Sequence, residues 1–126
     1  MKRSAILQPL SREHHTALTL AKACERAAQA GDEAQVSLTC QRVIRAFSSE
    51  LEPHLQVEEV SLLQLLRSPE TQALVERTLA DHQRLRGLLD ALRQNDVEAL
   101  DSFGKCLTAH VRFEERALFP VLESLL

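Results

Sequence analysis

Four stretches of this 126-residue chain repeat apolar residues at steps of three and four, and a histidine interrupts each repeat. Such steps place side chains on one face of an α-helix. Four amphipathic helices in so short a chain have only one another to pack against. The pattern predicts an all-α fold, an up-down-up-down antiparallel four-helix bundle, as a single domain over residues 1–126.

Local punctuation bounds the helices. Ser11, after Pro9, reads as the N-cap of the first, and Gly31 stops it after Ala30. The second starts near Asp32 or Glu33 and continues to Leu66. Ser68, Pro69 and Glu70 open the third, which ends at Asn95. Asp96 caps the fourth, which runs to about Phe119, before Pro120. Pro53 lies inside the second helix, removes a hydrogen bond to the Ser49 carbonyl, and is expected to kink it.

The stripes carry the chemistry where they break. In the second helix Cys40, Ile44, Phe47 and Leu51 give way to His54 and Glu58 before Leu62 and Leu65 resume. In the fourth, Leu100, Phe103 and Leu107 give way to His110 and Glu114 before Leu118 and Val121. The third places His82 between Leu79 and Leu85, and the first places His14 between Leu10 and Ala17-Leu18. His15 is the alternative to His14, which fits the stripe through Ala17, Leu18, Ala21 and Cys24 better.

Residues four apart on a helix lie ~40° apart around the axis and ~6 Å along it, so each His-x-x-x-Glu stacks an imidazole over a carboxylate on one face. An ionised carboxylate buried unpaired costs several kcal/mol or more. No Lys or Arg shares these stripes, and metal cations would remove the cost. The heights agree across the helices: His54 lies 13 residues before Arg67 and His82 lies 14 after Ser68. His82 lies 13 before Asn95 and His110 lies 14 after Asp96. The segments His54-Leu-Gln-Val-Glu58-Glu59 and His110-Val-Arg-Phe-Glu114-Glu115 echo one another from diagonal corners of the bundle. Two such units facing each other suit a dinuclear centre bridged by Glu58 and Glu114, completed by His14 and His82. The mixed nitrogen and oxygen set suits iron, manganese or zinc. Glu59 and Glu115 should point ~100° away, as solvated side chains or supports for the ligands. Glu13 and Asp81, each just before a histidine, read equally as supports for an imidazole and as surface residues.

Composition narrows the function classes. With 44 % apolar and 26 % charged residues, the chain has the balance of a soluble globular protein. No apolar run approaches the ~18 residues of a membrane span, and the first residues lack the apolar stretch of a secretory signal. Net charge is −3 with Lys and Arg dispersed, so no nucleic-acid footprint is expected. Cys24, Cys40 and Cys106 are odd in number and lack Cys-x-x-Cys spacing. Neither a disulfide framework nor a zinc ribbon follows, and a reducing cytoplasm is the expected setting. Trp and Tyr are absent, which rules out a tyrosyl radical. Glycine-rich nucleotide motifs and the hydrolase nucleophile elbow are absent too.

The order His, His-x-x-x-Glu, His, His-x-x-x-Glu on four helices resembles the hemerythrin-like (HHE cation-binding) family. The stretches Leu10-Ser-Arg-Glu-His-His, Pro53-His-Leu-Gln-Val-Glu-Glu and His110-Val-Arg-Phe-Glu-Glu-Arg-Ala-Leu-Phe-Pro120 carry the likeness over nearly the whole chain. The resemblance implies a non-haem di-iron centre: two iron ions, oxo- or hydroxo-bridged, with His14, His54, His82 and His110 as terminal ligands and Glu58 and Glu114 as bridges. The oxygen carriers of that family have His-x-x-x-His on the third helix, where this chain has Arg86 four residues after His82. They close the fourth-helix motif with Asp at a spacing of five, where this chain has Glu at four and again at five. The ligand set is more similar to the four-His, two-Glu centres of the iron–sulfur cluster repair di-iron proteins. A ferritin-like reading fails because Glu-x-x-His occurs nowhere.

The leading expectation is a di-iron protein that binds, senses or detoxifies dioxygen, peroxide or nitric oxide. Its partners would be a small diatomic or peroxide ligand and a redox partner the sequence does not identify, with no nucleic acid or membrane. A second reading is a di-iron enzyme: an oxygenase, a peroxidase or a nitric oxide reductase. A third is a zinc-bound or metal-free helical interaction module.

Overall fold

The computed structural model describes residues 3–126. Four helices, α1 (Gln8–Ala30), α2 (33–65), α3 (69–93) and α4 (97–125), form an all-α bundle. α1 packs most extensively against α4. Their close approach depends on Gly104, where a Cβ would meet the Ala21 carbonyl oxygen at 2.7 Å and the Cys24 Cβ at 3.1 Å.

Several helix ends follow the punctuation. Gly31 takes the left-handed conformation (φ 71°), and its N–H donates to the Ala27 carbonyl. Asn95 also adopts positive φ (56°), a conformation asparagine tolerates better than most residues. The Asp96 side chain accepts from the N–H groups of Glu98 and Ala99 and starts α4. α3 opens with a 3₁₀ turn over Pro69–Thr71 and ends at Arg93, two residues short of the expected Asn95.

Other boundaries differ from expectation. α1 starts at Gln8 with Pro9 inside its first turn, so Ser11 is not its cap. The Ser11 hydroxyl instead donates to Glu115 at 2.8 Å. α4 does not stop before Pro120 but continues to Leu125. The reason is a π-turn over Glu114–Leu118, in which the Phe119 N–H donates to the Glu114 carbonyl five residues back. The proline that follows enters a widened turn. Pro53 is met in the same way, by a π-turn over Phe47–Leu51 in which the Glu52 N–H reaches the Phe47 carbonyl.

A third π-turn spans Glu58–Leu62. Each π-turn holds one residue more than an α-turn and slips the buried face by one position. Past Glu58 the buried residues are Leu62, Leu63 and Leu66, while Leu65, expected on the stripe, is exposed. Past Glu114 they are Leu118, Phe119 and Leu122, with Val121 only half-buried. On α3, Thr78 is buried in place of the expected Leu79, its hydroxyl satisfied by the Leu74 carbonyl.

The apolar interior consists of two clusters. One gathers Leu20, Cys24, Cys40, Val43, Phe47, Leu92, Leu100 and Phe103, and the other gathers Leu7, Leu10, Leu62, Leu66, Leu118, Phe119 and Leu122. The buried His and Glu side chains lie along the helices between them. Burial pushes the Cys24 thiol up to about 12, which makes it an inert packing group. The cysteines are free, and among the described residues no helix is long and apolar enough to cross a membrane.

Candidate metal centre

The six residues singled out by the stripes meet in the interior. His14, His54, Glu58 and Glu114 form one group of potential ligand atoms, and Glu58, His82, His110 and Glu114 form a second. All six side chains are buried, with Glu58, His82 and Glu114 fully enclosed. His15, the alternative on α1, is exposed and takes no part. Within each group the ligand atoms lie within 4.8 Å of one another. That span is near the ~4 Å across a first-row ion with ~2.1 Å bonds.

The carboxylates divide their oxygens between the groups. Glu58 Oε2 lies 2.9 Å from His54 Nε2, and its Oε1 lies 2.8 Å from His82 Nε2. Glu114 Oε1 lies 2.8 Å from His14 Nε2, and its Oε2 lies 3.2 Å from His110 Nε2. Each histidine pair therefore faces one oxygen from each glutamate, the arrangement two bridging carboxylates require. His110 Nε2 and Glu114 Oε2 are buried without a hydrogen-bond partner. Orphaned polar atoms in a dry core are costly, and a cation held by both would satisfy them. The donor set fits two divalent first-row ions.

An outer layer of carboxylates aims the imidazoles. His14 Nδ1 donates to Glu115 at 2.6 Å and His82 Nδ1 to Glu59 at 2.6 Å. His54 Nδ1 donates to Glu13 at 2.8 Å and His110 Nδ1 to Asp81 at 2.9 Å. A proton held on Nδ1 leaves Nε2 for a metal and raises its basicity. Of the two readings of Glu59 and Glu115, solvated or supporting, the structure shows the supporting one, and each follows the glutamate that opens a π-turn. A wider turn brings successive side chains closer than the 100° of an α-helix. Glu13 and Asp81 do support imidazoles, but across the bundle: Glu13 serves His54 rather than His14, and Asp81 serves His110 rather than His82.

Arginines reinforce three of these four pairs. Arg3 holds Glu115 at 3.0 Å, Arg77 holds Asp81 at 3.0 Å, and Arg86 holds Glu59 at 2.7 Å while also gripping Glu52. Arg86 thus acts on His82 through Glu59. Against the opposing effect of burial, Glu59 is lowered by Arg86 and His82, Asp81 by His110 and Arg77, and Glu115 by His14, Ser11 and Arg3.

The inner groups perturb one another as charges in a dry site must. Burial opposes charge on His54, yet the adjacent Glu114 and Glu58 carboxylates raise it to about 10. His110 is raised to about 11 by Asp81, Glu114 and Glu58, again against burial. Burial opposes charge on Glu114, yet the adjacent imidazoles of His110, His14 and His54 hold it well below the usual carboxylate range. Protons on His54 and His110 thus face the charge of Glu114, and a metal would replace them.

A cleft of about 520 Å³ opens on this centre between α1 and α2. His14, His54 and His110 lie on its floor, and Glu13, Thr16, Arg42 and Glu50 are among the residues at its walls.

The chain matches the family model described as the hemerythrin HHE cation binding domain over residues 5–122. No curated protein and no solved structure matches it. A match over nearly the whole length, on a four-helix bundle with a buried His and Glu cluster, settles the family: this chain belongs to the hemerythrin HHE cation-binding domain family.

Proposed function

We propose that the chain holds two iron ions, one on His14 and His54 and one on His82 and His110, bridged by Glu58 and Glu114. The centre binds, senses or detoxifies dioxygen, peroxide or nitric oxide in a reducing cytoplasm. The carrying observation is the division of each glutamate's oxygens between the two histidine pairs. His14, His54, Glu58, His82, His110 and Glu114 would hold the metal, which when bound would supply electron exchange with a small ligand. The protein's own contribution is positional. Glu13, Glu59, Asp81 and Glu115 hold each Nδ1 proton, so each Nε2 faces inward. Phe119, stacked on the His14 ring with centroids 5.2 Å apart, and the apolar clusters limit water around the site.

The test is to load the metal-free chain anaerobically with ferrous ion, then add dioxygen, hydrogen peroxide or nitric oxide and follow the visible spectrum. New charge-transfer bands with at least one of them support the reading. Two bound irons that respond to none overturn the small-ligand function while leaving the metal site intact. One observation favours the enzyme reading as well: the cleft at His14 and His54 is larger than a diatomic molecule needs. Steady turnover with a supplied reductant separates catalysis from binding.

A further inference from the structure

The four histidine–carboxylate pairs are unequal. Three have an arginine on the carboxylate, and the fourth, His54 with Glu13, has none among the described residues. The Glu13 side chain is 56 % exposed, against 21 % to 32 % for Asp81, Glu59 and Glu115. His54 is also the most exposed of the four imidazoles, and His82 is fully enclosed.

The weak pair faces the cleft. Both His14 and His54 line it, whereas His110 alone does so from the other half. Glu13 and Glu50 bring two carboxylates to its walls against the single guanidinium of Arg42. A divalent cation meets negative charge on that path and an imidazole held by a partner free to move. The opposite half presents His82 and His110 behind Glu59–Arg86 and Asp81–Arg77. An ion there meets the cleft through His110 alone, and both of its histidines are held by carboxylates that are themselves ion-paired.

We propose that the cleft between α1 and α2 is the port through which divalent metal enters and leaves, so the His14–His54 position exchanges its ion while the His82–His110 position retains it. This rests on the two-metal reading above. Supports around metal ligands change affinity by about 10- to 100-fold, and the two positions should differ on that scale.

The experiment loads the chain anaerobically with ferrous ion, adds a chromogenic ferrous chelator in excess, and follows iron release. Two phases of equal amplitude are expected, the fast one at least ~10-fold quicker than the slow one. Two variants locate the fast ion. Thr16→Trp places a large ring at an exposed wall of the cleft and should slow the fast phase. Glu13→Gln removes the support of His54 and should quicken it, leaving the slow phase unchanged. His15→Trp, on the flank of α1 that faces α4, is the control and should alter neither phase. Release of both ions in one phase, or equal slowing by Thr16→Trp and His15→Trp, overturns the port. A chain that never takes up two ions overturns the two-metal reading itself, and the two failures are distinct.

Discussion

The two halves of the centre use the same inner atoms and differ in what stands behind them. His14 and His54 face one oxygen each of Glu114 and Glu58, as do His110 and His82. Behind His82 and His110 both carboxylates are clamped by arginines, and behind His54 the carboxylate is exposed at a cleft. Chemistry at a metal is set by its ligands, whereas access and retention are set by the groups that hold the ligands. One constellation used twice thus gives a sheltered position and an open one within the same bundle.

The comparison breaks most completely if a shared residue is lost. Glu114→Gln removes a negative charge from both halves and leaves buried imidazoles without their counterion. Uncompensated buried charge costs about 3–5 kcal/mol. Iron content should fall in both positions together, measured as metal per chain after loading. Full occupancy would remove Glu114 from the bridging role.

Glu59→Gln sharpens the comparison instead of breaking it. It withdraws support from His82 and leaves the other half alone. The retained ion should be held about 10- to 100-fold more weakly, bringing its release rate towards that of the exchanging ion. A selective loss of the fast ion would assign the supports to the wrong halves.

The smallest effect is on pH dependence, where the metal-free chain should erase the difference. His54, in one half, is raised to about 10 and His110, in the other, to about 11. Both values lie above the ordinary 6.5, so their contribution is complete below about pH 6.5 and is lost as pH rises through 10 and 11. Glu59, Asp81, Glu114 and Glu115 are lowered, so theirs is present above about pH 4.5 and is lost on acidification. Thermal unfolding followed by circular dichroism should therefore peak between about pH 4.5 and 6.5 without metal. Metal displaces the imidazolium protons and should move the optimum upward. An unchanged optimum on loading would mean the metal does not engage these histidines.

Much of the bundle was legible because its signals are local. Gly31 and Asn95 mark turns that need positive φ, and Asp96 has a side chain suited to capping two free N–H groups. The six inner residues stood out because polar groups on an apolar stripe need a reason, and the structure does gather them. The π-turns were not legible from apolar periodicity, which assumes a uniform 3.6 residues per turn. That assumption placed Leu65 inside, a one-residue slip, and left Glu59 and Glu115 open between solvent and support of the ligands, where the structure shows support. A signal was available: Pro53 and Pro120 each lie within a helix and each follow a π-turn. The crossed service of Glu13 and Asp81 was beyond reach, since adjacency in sequence indicates nothing about which neighbouring helix a side chain serves.

The central claim is that Glu58 and Glu114 join two metal positions, and counting the ions tests it most directly. Ferrous ion titrated anaerobically into the metal-free chain, followed by metal analysis after desalting, should end at two irons per chain. One iron per chain, or none, would contradict the account.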